Sequence, residues 1–125
     1  AIVPCMKVKR PIHMHDDCPG FAGELANWPS KAALAQIFRS DGYQICEGRY
    51  SIRLEDFEHF EFRELGGDLG PGAVTAESTS AQALTAFVGR VSRTLAKAGI
   101  RHRFEIYSAS DALIAYLHHD WPKDW

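Results

Sequence analysis

Between Thr79 and Tyr107 the chain changes its hydrophobic period once, and that change limits the fold more than any other feature. Ala81, Leu84, Val88, Val91, Leu95 and Ala98 recur at steps of three and four, which lines one side of a helix. Gln82, Arg90, Arg93 and Lys97 fall off that stripe. Thr79 or Ser80 stands where an N-cap belongs, and Gly99 stands just past the end. Directly afterwards Ile100, His102, Phe104 and Ile106 alternate with Arg101, Arg103, Glu105 and Tyr107, the period of a strand with one buried face. A one-sided helix running into a one-sided strand buries both only if helices pack on a sheet.

The rest of the chain fits that plan. Lys7 to His15 reads as an edge strand broken at Pro11. Asp16-Asp17-Cys18-Pro19-Gly20 is a turn cluster, and no period is apparent from there to Pro29. Ser30 caps a second helix with the stripe Ala32, Ala33, Leu34, Ile37 and Phe38, ended by Ser40-Asp41-Gly42. Tyr43 and Ile45 begin an alternation that changes phase after Gly48 to Tyr50, Ile52 and Leu54, so a bulge or tight turn is expected at Gly48. Asp56 to Leu65 reads as a strand with Phe60 and Phe62 on one face and His59, Glu61 and Arg63 on the other. Gly66 to Gly72 reads as a connection, and Ala73 to Ala76 as a short strand. Ile114, Tyr116 and Leu117 favour a strand over 112–119, hairpinning onto 101–107.

The expected fold is therefore α+β: a two-layer sandwich of a mainly antiparallel sheet with two helices, in one domain spanning 1–125. The ferredoxin-like split βαβ arrangement is the first topology to test, with barstar-like and other small layouts open. Met6 followed by Lys7-Val8-Lys9 reads as a natural start, which makes residues 1–5 either an upstream extension or the beginning of the first strand.

Fourteen Lys and Arg against sixteen Asp and Glu leave a net charge of −2, too balanced to make nucleic acid or an anionic membrane the expected partner. No run approaches the ~20 apolar residues of a membrane helix. Phe60 and Phe62 stand at the spacing of base-stacking aromatics, but Asp56, Glu58, Glu61 and Glu64 on the same segment repel phosphate. Cys5, Cys18 and Cys46 make an odd count without tight spacing. That favours a reducing, cytoplasmic setting, with a Cys5–Cys18 bridge left open.

No nucleophile motif is present, and no cofactor is expected. His13, His15 and Cys18 form the one cluster with the donor types of a metal site, and His118, His119 and Asp120 would complete it if the chain ends met. The spacing matches neither CxxC nor HExxH, so the metal reading is the alternative rather than the leading one. A ligand pocket between helix 80–98 and the sheet is a third possibility.

The leading expectation is a small soluble protein that binds a protein partner or itself without catalysis; an inhibitor of antitoxin or immunity type is one concrete version. Arg101, Arg103, Tyr107 and Glu61 on the polar sheet face, with Trp121 and Trp125 in the tail, are the residues expected to contact that partner, because Arg, Tyr and Trp are favoured anchors.

Overall fold

The computed structural model describes residues 18–63 and 72–121. The predicted strand over 7–15, the Met6 start and most of the glycine connection lie outside these residues. Seven strands and two helices follow in the order β1 (Gly20–Leu25), α1 (Lys31–Ser40), β2 (Ile45–Glu47), β3 (Ser51–Leu54), β4 (His59–Arg63), β5 (Ala73–Glu77), α2 (Ala81–Lys97), β6 (His102–Tyr107) and β7 (Leu113–His119). The strands form one antiparallel sheet ordered β2-β3-β4-β5-β1-β6-β7. The α+β fold with helices layered on the sheet is as expected. Because β5 and β6 both run antiparallel to β1, they are parallel to each other. β5-α2-β6 is thus one split βαβ unit with β1 between its strands. Seven strands in this order are not the four-stranded ferredoxin-like layout as a whole.

Both helices end in the same way. At α1 the Tyr43 N–H donates to the Phe38 carbonyl and Gly42 to Arg39; at α2 Ile100 donates to Leu95 and Gly99 to Ala96. These bonds define paired Schellman caps. They need a left-handed residue at Gly42 (φ +89°) and Gly99 (φ +76°), which glycine adopts without a Cβ penalty. Ser30 and Ser80 close the N-termini by accepting from the Ala33 and Ala83 amides.

The core lies between the helices and one face of the sheet. Leu84, Val88, Val91 and Leu95 of α2 are fully buried, as are Phe60, Phe104 and Ile106; Phe62 is nearly so. Phe60 and Phe62 therefore point to the helices, not to a nucleic-acid platform. The space between α2 and the sheet is occupied by these side chains, which removes the support for a ligand pocket there.

The stretch before Pro29 without visible period is the central strand. Phe21, Gly23 and Leu25 alternate toward the helices, and the glycine hides the pattern. A Cβ on Gly23 would stand 2.8 Å from both Phe104 and Phe21 ring atoms, so the rings fold over a position that has no side chain. Strand β4 begins three residues later than the pattern predicts, because 55–58 turn back from β3. The phase change at Gly48 is a hairpin turn closed by the Gly48 N–H on the Ser51 carbonyl at 2.8 Å.

His102 is fully buried in the apolar phase of β6. Its Nδ1 lies 2.9 Å from the Ile100 carbonyl and its Nε2 lies 2.6 Å from Ser92 Oγ. A carbonyl only accepts, so Nδ1 carries the proton and Ser92 donates to the Nε2 lone pair. Burial holds the imidazole pKa below its ordinary value.

Two outcomes follow from this core. Val91→Asp places an unpaired charge under α2 and abolishes the cooperative unfolding transition seen by circular dichroism. For His102, the unfolded chain takes up the proton first as pH falls below about 6.5. Stability is fully present above that value and declines below it, by up to about 1.4 kcal/mol per pH unit, until the folded histidine also titrates. Urea midpoints across this range show the decline in the wild type and a weaker one in His102→Gln.

Candidate functional site: the uncovered sheet face

With both helices on one side, the opposite face of the sheet carries the side chains of the other phase. Strand register arranges them in rows. Arg53 stands opposite Glu61 and Glu61 opposite Thr75. The Gly23–Val74 register of β1 and β5 sets Thr75 beside Ala22, and Ala22 stands opposite Glu105, which stands opposite Tyr116. The adjacent row carries Ser51, Arg63 and Ala73, then Glu24, Arg103 and His118. Small residues thus occupy the middle of the sheet (Gly20, Ala22, Ala73 and Thr75), between charged and aromatic groups on either side. Part of this floor is a shallow concavity of about 210 Å³ bordered by Ala22, Gly23, Glu24, Arg103 and Glu105.

The charges on this face are largely matched to one another. Arg103 Nε donates to Glu24 Oε1 at 2.7 Å, and its guanidinium carbon lies 5.0 Å from the centre of the Trp121 ring. The bond to Glu24 raises the Arg103 pKa. Tyr107 donates its hydroxyl to Glu105 at 2.7 Å, which raises the phenol pKa. Arg63 reaches Glu61 at 3.4 Å, and Arg101 reaches Asp120 at 3.2 Å.

Of the residues expected to contact a partner, Arg103 and Trp121 come together, while Arg101, paired with Asp120, and Tyr107, bonded to Glu105, stand at opposite ends of β6. Glu61 stands on the far side of the small-residue floor, and Trp125 lies outside the described residues. Trp121 folds back against its own domain through Arg103. Sequence reasoning missed Glu24, because β1 itself was not legible.

Of the three residues of the metal alternative, the structure describes only Cys18. His13 and His15 lie outside the described residues, and Cys18 is disulfide-bonded, so it offers no thiolate while oxidised. His118 faces the uncovered side, whereas His119 lies toward the helices with its ring 6.2 Å from that of His102. Among the described residues no three His, Cys, Asp or Glu side chains converge.

Two other clusters are structural. Ser92 and His102 have the hydroxyl–imidazole contact of a nucleophilic pair, yet both are sealed beneath α2, and a backbone carbonyl rather than a carboxylate holds Nδ1. Between the helices, Thr94 Oγ1 lies 2.5 Å from Asp41 Oδ2 and 3.1 Å from the Tyr43 hydroxyl. Lys97 donates to Asp41 at 2.8 Å, and Arg90 lies 4.2 Å above the Tyr43 ring. The bonds from Lys97 and Thr94 hold the Asp41 pKa below its ordinary value, while burial raises that of Tyr43. This network clamps the end of α1 to α2.

Comparison with family models, curated proteins and solved structures gives no match.

The matched charges on the sheet face set a testable magnitude. Both members of the Glu24–Arg103 pair are substantially exposed. A double-mutant cycle of Glu24→Gln and Arg103→Gln, read by urea denaturation, is expected to give a coupling energy below about 1 kcal/mol.

Proposed function

We propose that the protein is a non-enzymatic binding domain that recognises a protein partner with the uncovered face of its sheet. One observation carries this reading: among the described residues, a seven-stranded sheet is roofed by helices on one face only. Its other face carries Arg103 with Trp121 against it, and Tyr116 and Tyr107 farther along β7 and β6, beside a low floor. Aromatic and arginine side chains next to a recess are the composition of an interface centre. The internal ion pairs hold Arg103 and Glu61 in fixed positions, which lowers the ordering cost of docking. Lys97, Arg101 and Arg103 are already paired with Asp41, Asp120 and Glu24 within the chain, so recognition in this reading draws on shape and aromatic contact more than on long-range charge. An inhibitor of antitoxin or immunity type remains the concrete version we favour. No helix among the described residues is long and apolar enough to cross a membrane. The disulfide at Cys18 favours an oxidising compartment over the cytoplasm expected from the odd cysteine count.

Affinity capture from the source cells tests this reading with Glu61→Lys/Tyr107→Ala on the sheet face and Arg93→Ala on the helical side. A stoichiometric protein partner is expected with the wild type and with Arg93→Ala, and its yield is expected to fall at least about tenfold with the face variant. A partner kept by the face variant and lost with Arg93→Ala contradicts the assignment.

A further inference from the structure

The two edges of the sheet are built differently. At one edge β2 has only three residues. Its Glu47 pairs with Arg39 at 2.9 Å and with Lys31 at 3.7 Å, and Lys31 Nζ donates to the Gly48 carbonyl at 2.7 Å. Short length and charged cover are the devices that stop a sheet from adding strands. At the other edge β7 has seven residues, Leu-Ile-Ala-Tyr-Leu-His-His, without Asp, Glu, Lys, Arg, Pro or Gly. Its one irregularity against β6 lies at the Ile106/Tyr107 end. Four large apolar or aromatic side chains are strongly exposed among the described residues, and three of them are here: Leu113 (54%), Ile114 (49%) and Tyr116 (44%).

We infer that β7 pairs with β7 of a second copy of this chain, antiparallel across a two-fold axis, to give one continuous fourteen-stranded sheet. This inference does not rest on the partner reading above. Two features select a second copy as the occupant. First, β7 is self-compatible: pairing about its midpoint at Tyr116 sets Tyr116 against Tyr116 and Ala115 against Leu117 of the other copy, and it opposes no fixed like charges. The sum of paired positions is even, so over 115–117 each phase stays on its own face; the register shift opposite Ile106 and Tyr107 leaves Leu113 and Ile114 at the margin of this pairing. Second, the row of α2 on the side of β7 is made of small side chains: Ala81, Thr85, Gly89, Ser92 and Ala96 follow at steps of four, four, three and four, so the helix does not stand in the way of a strand added at this edge. Ser92 contacts His102, whose ring in turn lies beside that of His119. Arg90 and Lys97 are held toward α1, while the Arg93 guanidinium reaches over Gly89.

Sedimentation of the full chain is expected to give twice 14.0 kDa, and 14.0 kDa for Ile114→Lys/Tyr116→Lys with unchanged circular dichroism. In a Cys46→Ser background, Tyr116→Cys is expected to form an intermolecular disulfide, because opposed Cβ atoms in an antiparallel pair lie about 4.5–5.5 Å apart. Glu61→Cys, far from the edge, is expected to form none. A benzophenone side chain at position 114 is expected to capture β7 of the other copy. Any one of three results overturns the inference: a monomer at every concentration, a dimer that survives the double Lys variant, or benzophenone capture of residues 1–17 of the same chain.

Discussion

The fold depends on one aromatic layer, and Phe60 is its centre. Its ring centroid lies 5.7 Å from Phe21, 5.5 Å from Phe62, 5.6 Å from Phe87 and 6.2 Å from Phe104. Those five residues come from β1, β4, α2 and β6, which are far apart in the chain. Edge and tilted ring contacts add to the burial of large apolar area and fix the angle at which α2 crosses the sheet. Gly23 belongs to the same constraint, since the rings of Phe21 and Phe104 occupy the volume its side chain would need. Phe38, Tyr43 and Phe87 carry the layer on to α1. Because the phenylalanines of the strands all face one way, both helices lie on that side, and the other face carries the charged residues and the tyrosines of β6 and β7.

That polar face is ordered from within. The Glu24–Arg103–Trp121 stack, the Glu105–Tyr107 bond and the Glu61–Arg63 pair each hold a long side chain in one place. Exposed pairs of this kind add little to stability. Their effect is on shape: a floor of small residues between two banks of positioned side chains. Binding by such a face draws on its aromatic groups and on preorganisation more than on net charge.

Much of the architecture was legible in the sequence where local chemistry decides. The caps of both helices, the stripe of α2 from Leu84 to Leu95, the turn at Gly48, the inward phase of Phe60, Phe62, Phe104 and Ile106, and the hairpin of 101–107 with 112–119 were all written in periods and glycines. In α1 Leu34 and Phe38 face the core as expected, but Ala32 and Ala33 of the expected stripe are exposed and Ala35 is buried instead. The central strand was not, because glycines at positions 20 and 23 interrupt its alternation and their reason is a set of rings distant in sequence. Strand order was illegible for the same reason: nothing near residues 20–25 states that they lie between β5 and β6. At the site, Arg103 and Tyr107 could be assigned to the polar face from alternation alone. The partner of Arg103 at Glu24, the return of Trp121, and the burial of His102 against Ser92 needed the tertiary structure.

The contrast between a guarded edge at β2 and a long edge at β7 without fixed charge gives the self-association proposal its direction, and amide hydrogen exchange along β7 measures it residue by residue. In an unpaired edge strand only alternate amides bond to the neighbouring strand, so protection alternates. A self-paired β7 is expected to protect consecutive amides from 114 to 118, with the added protection lost on dilution. Alternating protection that is independent of concentration would contradict the assignment of β7 as the self-association edge.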